Sequence, residues 1–415
     1  MPALDPHSIR PEFPGLAADM VFFDNAGGSQ TLRRVADRIS DFLLTSNVQL
    51  GASYATSVLA GERVAESRAR AAELVNAARP EEVVMGGSTT ALLRTLVQGL
   101  RHWFKPGDEV VVTDLDHEAN IGAWLTLTDR GVTVRVWGVN RDSLRLEPAD
   151  LEALLTERTR LVALTYASNV LGGITPVPEA VRLARRAGAL VCVDGVAYAP
   201  HRAIDVRALD LDFYVFSFYK VFGPHYAMLY GKYEHLLRMA NLNHYFIPPD
   251  AIPYKLQPGN QNYELGYGTI GIGDYLSDLG ARVDPAGAGE TRRARIVSAF
   301  GAIASHEAAL TERLLGYLRG RNDVTVIGDP AADPARRVAT VGFTVRGMHP
   351  EAVVRAVDRH RIGIRFGDFY AKRLIAALGL EARGGVVRVS MVHYNTADEV
   401  DRLIRALDEA LQTSS

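Results

Sequence analysis

The sequence predicts an α/β fold, with a large domain built on a mainly parallel sheet between helices and a smaller α+β domain at the carboxyl end. Between residues 81 and 231, short apolar strands alternate with helical segments, which is the pattern of a parallel sheet. After Glu290, one long helix is followed by short strands interleaved with helices. The length of 415 residues allows two or three domains.

The first elements are a short strand at 20–23 and helices at 32–44 and 61–76. The alternating block follows them and supplies the predicted large sheet. Residues 232–275 are rich in Tyr, Asn, Gly and Pro, so the sequence predicts a loop-like segment there.

The carboxyl-terminal part has a different pattern. Its long helix carries apolar residues on one face, which predicts burial of that face. The segments VTVIG, VATVGFTV, IGIRFG and VVRVSM predict short strands. Thr396 and Glu399 form a capping-box pattern at the start of the last helix. The expected domains are a large one, 22–280, and a small one, 1–21 together with 281–415.

The composition is ordinary for a globular enzyme, with 47% hydrophobic and 23% charged residues. The net charge is −2 and no basic block stands out, so nucleic acid is not an expected partner. The single cysteine, Cys192, excludes an internal disulfide, and we expect a cytoplasmic protein. No signal-peptide or membrane-spanning pattern is present, so we expect no membrane partner.

Two predicted strands are followed by residues whose side chains can take part in chemistry. The strand LVCV is followed by Asp194, and the strand DFYVFSF is followed by Tyr219 and Lys220. Because the carboxyl ends of parallel strands face the ligand crevice, the acid and the amine are expected in one site. A buried lysine has a lowered pKa and can form a Schiff base. Pyridoxal phosphate needs such a lysine and an acid for its pyridine nitrogen, and we expect Lys220 and Asp194 to supply them.

Other residues at strand ends allow two interpretations each. Ser88 and Thr89, in the turn GGSTT, either bind phosphate at a helix start or simply cap the helix; with the lysine and the acid nearby, we favour phosphate. His117 either stacks on a flat cofactor and exchanges protons or is a loop or capping histidine. Asn169 contacts a cofactor hydroxyl or the substrate, or it is a turn residue.

Arg365 and Arg388 lie at the end of and within apolar strands, where a guanidinium needs a partner for its charge. A substrate carboxylate is a suitable bidentate partner. The alternative is a structural ion pair with an aspartate or glutamate of the protein.

An ordered set of motifs then makes the sequence specific. FFDNAGGSQ, GGSTTA, DHEANIGAW, SNVLGGITPV, CVDG, DFYVFSFYKVFGPH, PGNQN and RVSMVHYNT occur in this order. From about Phe22 to the carboxyl end, the chain resembles the cysteine desulfurase/selenocysteine lyase family of class V aminotransferases. These are pyridoxal phosphate enzymes of fold type I. The resemblance implies a seven-stranded, mainly parallel sheet in the large domain.

The resemblance also assigns roles. It implies that Lys220 bonds covalently to the cofactor, that Asp194 pairs with its pyridinium nitrogen and that His117 stacks on its ring. Arg388 is implied to bind the substrate carboxylate with Arg365 close by. The remaining implied contacts are to the cofactor phosphate from Ser88, Thr89 and Ser217, and to the ring hydroxyl and substrate from Asn169. Asn260 matches a position that reaches the partner subunit's phosphate, which implies a homodimer with active sites at the subunit interface.

The departures from the family decide the expected activity. Tyr370 stands where the family has its persulfide-forming cysteine, and Cys192 lies on a predicted core strand. Tyr219 replaces the usual histidine before the lysine. Ala197 replaces a glutamine that contacts the ring hydroxyl, and nearby candidates to take over that contact are Tyr198 and His201. A chain without the loop thiol cannot store sulfur as a persulfide by the family's route.

We therefore expect a pyridoxal phosphate enzyme that performs lyase-type chemistry at Cα or Cβ of a small L-amino acid, either β-elimination or decarboxylative C–C chemistry. Tyr370 is a candidate for proton delivery or substrate packing. One alternative is an aminotransferase or epimerase with the same residues. Another is a partner protein that binds the cofactor without catalysis. No metal site is expected.

Overall fold

The computed structural model describes residues 4–285 and 291–412. Glu290, after which the sequence predicts the long helix, lies outside the described residues; the helix itself begins at Arg292, with Thr291 as its amino-terminal cap. Within the described ranges, no helix combines the length and the apolar character needed to cross a membrane.

Helices and strands are numbered in chain order. The α-helices are α1 (Pro6–Ile9), α2 (Arg33–Thr45), α3 (Ala55–Val75), α4 (Thr89–Leu100), α5 (Glu118–Leu125), α6 (Pro148–Leu154), α7 (Val177–Arg186), α8 (Tyr233–Arg238), α9 (Tyr263–Val283), α10 (Arg292–Arg319), α11 (Pro350–Asp358), α12 (Lys372–Ala377) and α13 (Ala397–Gln412). The strands are β1 (Val21–Phe22), β2 (Val83–Gly86), β3 (Glu109–Thr113), β4 (Thr133–Trp137), β5 (Thr159–Thr165), β6 (Leu190–Asp194), β7 (Phe213–Ser217), β8 (Ala227–Gly231), β9 (Val324–Ile327), β10 (Thr340–Val345), β11 (Ile362–Gly363), β12 (Arg365–Gly367) and β13 (Val386–Ser390).

The large sheet has seven strands in the order β2-β8-β7-β6-β5-β3-β4. Strands β7, β6, β5, β3 and β4 pair in parallel, and β8 is antiparallel to both of its neighbours. The prediction of a mainly parallel seven-stranded sheet is therefore confirmed.

Both faces of this sheet are buried and carry apolar residues, as expected for parallel strands covered by helices. In β6, Val191 and Val193 join the core on one face and Cys192 joins the core on the other. Because β6 and β7 run in parallel, Asp194 at the end of β6 and Lys220, just after β7, lie at the same edge of the sheet. The topology thus delivers the acid and the amine to one crevice.

The prediction that residues 232–275 are loop-like is wrong at both ends, because α8 occupies Tyr233–Arg238 and α9 begins at Tyr263. The glycines of α9 suggested a loop, but several of them allow close packing. A Cβ at Gly268 would meet the side chain of Ile39 on α2, and one at Gly280 would meet the backbone of Arg295 on α10. Tertiary packing against α2, α3 and α10 therefore overrides the low helix propensity of glycine.

The carboxyl-terminal sheet is antiparallel, with the order β12-β13-β10-β9. The strand predicted at 20–23 forms as β1 and pairs in parallel with β11, so this early segment joins the carboxyl-terminal part of the chain. The capping box of α13 is present: the Glu399 N–H donates to the Thr396 hydroxyl and the Thr396 N–H donates to the Glu399 carboxylate, each at 3.1 Å.

Candidate active site

A cavity at the carboxyl ends of the parallel strands brings most of the predicted site residues together. It offers about 560 Å³ of empty space, including space open to solvent. The predicted residues that line it are Ser88, Thr89, His117, Asn169, Asp194, Ser217 and Lys220. Arg365, Arg388, Asn260 and Tyr370 are not part of this lining.

Lys220 ends a short 3-10 turn that follows β7, and its side chain is buried. Burial and, to a smaller extent, the charge of Arg388 lower the pKa of the Lys220 amine to about 8, while Asp194 opposes the shift. Among the described residues, the amine has no hydrogen-bond partner. It is therefore a buried amine that loses its proton much more easily than an ordinary lysine.

Asp194 is buried at the end of β6 and accepts a hydrogen bond from the Val196 N–H at 2.9 Å. Burial raises the pKa of Asp194 to about 6, against the effect of that hydrogen bond and of Lys220. At neutral pH, most of this carboxyl group is ionised, which suits a protonated ring nitrogen of a ligand.

A second buried acid, Asp116, interacts electrostatically with Asp194 and was missed by the sequence reasoning. It accepts hydrogen bonds from Asn120 at 2.8 Å and from the Thr113 hydroxyl. Burial raises the pKa of Asp116 to about 8, and the negative charge of Asp194 raises it too. Asp116 is thus mostly neutral at pH 7, so Asp194 is the charged member of this pair of acids. Its position in the sequence DHEAN, just after a strand end, was the feature of the sequence that could have indicated a site residue.

The turn before α4 fits an anion. The Ser88 hydroxyl caps the helix by accepting from the Ala91 N–H at 3.1 Å, and the hydroxyls of Thr89 and Ser217 lie 2.7 Å apart. A Cβ at Gly87 would meet no atom within 4 Å, so backbone and ligand can approach closely there. The helix-capping interpretation of Ser88 is confirmed. Ser88 also lines the cavity at a helix start, where a phosphate is favoured, and its contact with a phosphate stays a prediction.

His117 caps α5 and also lines the cavity. Its Nδ1 accepts a hydrogen bond from the Ala119 N–H at 3.1 Å, so a neutral ring carries its proton on Nε2. Burial lowers the pKa of His117 to about 4, and the charge of Lys220 lowers it too. The ring is therefore uncharged at neutral pH and is a weak proton acceptor.

Asn169 links the cavity to the loop between β12 and α12. Its side-chain amide donates to the Phe369 carbonyl at 2.9 Å, which leaves Oδ1 and the second N–H of Nδ2 to meet a cofactor or substrate. The Glu118 N–H donates to the Tyr370 carbonyl at 2.8 Å. Tyr370 itself is 70% exposed, with its ring centre 5.3 Å from that of His117.

Arg388 is only 2% exposed and does have a protein carboxylate as partner. It donates to the backbone carbonyl of Asn169 at 3.0 Å and to the carboxylate of Asp24 at 2.6 Å. Arg365 lies 3.7 Å from the other oxygen of Asp24. The structural ion pair that the sequence left open as an alternative is therefore present, and its acid follows β1 in the sequence FFDNAGG.

Three further predicted positions lie outside the cavity. Asn260 is exposed and donates to the side chain of Gln49 at 3.3 Å, so its predicted contact with a partner subunit stays a prediction. Tyr198 stacks on Tyr166 with ring centres 3.7 Å apart, and His201 lies 2.9 Å from Glu307. Neither lines the cavity, and the suggestion that they replace the missing glutamine contact stays a prediction.

Comparison with known proteins identifies the family. The sequence profile of the aminotransferase class-V family matches residues 21–244 and 292–403. The chain belongs to this family. Aminotransferase-like protein FGM3 of Gibberella zeae is 42% identical over 97% of this chain and 98% of its own length. Cysteine desulfurase-like protein ustD of Aspergillus flavus is 34% identical over 98% of this chain and 90% of its own length.

Solved structures of cysteine desulfurases share the fold. The cysteine desulfurase CsdA of Escherichia coli is 28% identical, with a TM-score of 0.84 and coverage of 99% of both chains. The enzyme of Thermococcus onnurineus is 25% identical, with a TM-score of 0.87 and coverage of 100% of both chains. The class V chain described here therefore has the fold type I architecture, and it is a pyridoxal phosphate-dependent enzyme.

The residues of the cavity fit pyridoxal phosphate. The buried amine of Lys220 has no competing hydrogen bond, Asp194 offers a carboxylate, and the start of α4 offers unpaired N–H groups beside Thr89 and Ser217. His117 offers a flat, uncharged ring. The described residues contain no group of three or more His, Cys, Asp or Glu side chains placed to hold a metal ion.

Proposed function

We propose that this class V enzyme performs lyase-type chemistry at Cα or Cβ of a small L-amino acid, by β-elimination or decarboxylative C–C chemistry, and does not transfer sulfur through a persulfide. One observation carries the second half of this proposal. Cys192, the only cysteine, is fully buried in the apolar core of β6, and burial raises the pKa of its thiol well above the ordinary value. No accessible thiolate remains to accept sulfur.

Three residues of the cavity have a proposed part in such a reaction. When bound, pyridoxal phosphate supplies an electron sink for a bond broken at Cα. The ionised carboxylate of Asp194 keeps a ring nitrogen protonated, because it offers the compensating charge. Lys220, whose buried amine loses its proton readily, would be the group that takes or gives a proton at Cα. His117 covers a ring face without competing for that proton, since its pKa is about 4.

Arg388 is the group proposed to hold the substrate carboxylate, because its guanidinium is buried and has one nitrogen, Nε, without a partner. Arg365 is close by and more exposed, and it shares Asp24 with Arg388. Holding the carboxylate at Arg388 orients the bonds at Cα relative to Lys220. Tyr370 lies at the rim, and its proposed role in proton delivery or packing is open to direct test.

The test is product analysis with the cofactor-loaded enzyme and L-cysteine, L-cystine, L-aspartate and L-alanine. β-Elimination of L-cysteine gives one pyruvate, one ammonia and one hydrogen sulfide; decarboxylative chemistry gives one carbon dioxide for each substrate consumed. Accumulation of the pyridoxamine form would instead indicate an aminotransferase, and loss of stereochemistry at Cα without net product an epimerase. A persulfide that forms on Cys192 of the wild type during turnover, together with loss of turnover in Cys192→Ala, would contradict the proposal.

We further infer a cytoplasmic homodimer whose active sites lie at the subunit interface. The end of α2 and the start of α3 expose apolar side chains, including Leu44, which is 81% exposed, and Tyr54, which is half exposed. Asn260 is hydrogen-bonded to Gln49, in the segment between these two residues. An exposed apolar surface of this kind favours contact with a second copy of the chain. Sedimentation of the wild type and of Leu44→Glu tests this inference.

A further inference from the structure

The guanidinium group of Arg388 is enclosed on several sides by parts of the chain that are distant in sequence. Its carbon lies 3.8 Å from the centre of the Phe369 ring, which is the distance of a direct cation–π contact. Two of its nitrogens donate to the Asn169 carbonyl and to Asp24, while Nε is buried and has no hydrogen-bond partner among the described residues. A guanidinium has five N–H donors, so Nε–H and the second N–H of each terminal nitrogen remain for a ligand.

The loop holds Phe369 in place at a conformational cost. Phe369 and Tyr370 have φ values of 54° and 60°, in the left-handed region that bulky residues avoid. Their carbonyls accept hydrogen bonds from the Asn169 side chain and the Glu118 N–H, and the Arg373 guanidinium lies 3.0 Å from the Glu118 carboxylate. Three contacts with the large domain therefore fix two consecutive strained residues next to the cavity.

The charges around Arg388 are unbalanced in a way that suits one carboxylate. Arg365 lies directly opposite Arg388 in the pairing of β12 with β13, and like charges in such positions repel each other. Asp24 is the acid within 4 Å of both arginines. Two guanidinium groups share one carboxylate, so the cluster carries one excess positive charge. A ligand with a single carboxylate group compensates it.

We propose that Phe369 is a positioning residue for the substrate carboxylate: its ring covers one face of the Arg388 guanidinium, excludes water from it and holds Nε available for a monocarboxylate ligand. This inference rests on the proposed function, in which Arg388 binds the carboxylate of an amino acid. Phe369 lies on the loop that carries the reactive cysteine in the desulfurases that this chain resembles. In this chain, the loop serves substrate binding and not sulfur transfer.

The experiment measures binding, independently of turnover. Propanoate is titrated into the full-length, cofactor-loaded enzyme, and the change in cofactor absorbance gives the dissociation constant; propanamide is the uncharged reference. We expect Phe369→Leu to weaken propanoate binding about tenfold, because the ring contact with a desolvated cation is lost. Phe369→Tyr keeps the ring and is expected to bind within about twofold of wild type.

Controls separate the inference from the proposed function. Phe366→Leu alters a nearby aromatic residue that packs in the carboxyl-terminal core, and we expect unchanged propanoate binding. If the wild type does not prefer propanoate to propanamide, or if Arg388→Lys binds it equally well, the carboxylate site itself is refuted. If Arg388→Lys weakens binding and Phe369→Leu does not, only the inference about Phe369 fails. Equal losses in Phe366→Leu and Phe369→Leu would also overturn it. Should Phe369→Leu not fold, Phe369→Met replaces it in the same comparison.

Discussion

The lowered pKa of Lys220 predicts how the enzyme captures its cofactor as pH changes. The neutral amine is the nucleophile that attacks the cofactor aldehyde, so the capture rate follows the neutral fraction of Lys220. Burial and the charge of Arg388 place the pKa of this amine at about 8. The rate is therefore expected to rise with pH up to about 8 and to level off above it.

The magnitude follows from the shift. With a pKa of about 8, roughly one tenth of the Lys220 amines are neutral at pH 7. An ordinary lysine with a pKa near 10.4 has a neutral fraction of only about 0.04% at the same pH. The available nucleophile is thus larger by a factor of about 250.

The assay mixes apoenzyme with pyridoxal phosphate between pH 6 and 9.5 and follows the visible absorbance. Nα-acetyl-lysine, measured at each pH, serves as the reference amine, because the ratio of the two rates removes the cofactor's own titration. We expect the ratio to be constant below pH 8 and to fall above it. A constant ratio up to pH 9.5 would show that Lys220 titrates like an ordinary lysine, and the electrostatic reasoning would be refuted.

The remaining predictions concern stability, charge and the loop. Lys220→Met is expected to stabilise the apoenzyme at pH 7 by up to about 3 kcal/mol, because the folded-state pKa of about 8 lies below that of the unfolded chain. The destabilisation caused by the buried amine is full below pH 8 and disappears as the pH rises towards 10.5. Chemical denaturation of wild type and variant at pH 7 and pH 10.5 checks this. Asp194→Asn is expected to lower turnover at least about 100-fold while cofactor still binds, because the ring nitrogen loses its compensating carboxylate; unchanged turnover would contradict its role. Tyr370→Phe is expected to change turnover or the product ratio, and if both stay unchanged the proposed role of Tyr370 is withdrawn.

The large sheet was predictable because its strands are short apolar runs separated by helical segments. The parallel arrangement then placed Asp194 and Lys220 at the same edge, and the structure confirms that both line one cavity. Helix α9 was not predictable in the same way. Its glycines allow close packing against α2 and α10. Local sequence pattern does not reveal such neighbours, because they come from distant parts of the chain.

The candidate site shows the same limit. Residues that follow strands, such as His117 and Asn169, could be located from local pattern, because their positions depend on the strand that precedes them. Asp24 and Phe369 could not, since they reach Arg388 from segments 364 and 19 residues away along the chain. Asp116 was visible in its motif, but its neutral state depends on burial and on the charge of Asp194.

The central claim is that Lys220 binds pyridoxal phosphate in this cavity, and one labelling measurement tests it most directly. The chain contains Lys105, Lys220, Lys232, Lys255 and Lys372 as the possible sites of attachment. Borohydride reduction of the cofactor-loaded enzyme, followed by peptide mass analysis, is expected to place the cofactor on the Lys220 peptide, and Lys220→Ala is expected to lose both this label and the visible absorbance band. A label on any other lysine, or no label after the cofactor has been supplied, would contradict the account.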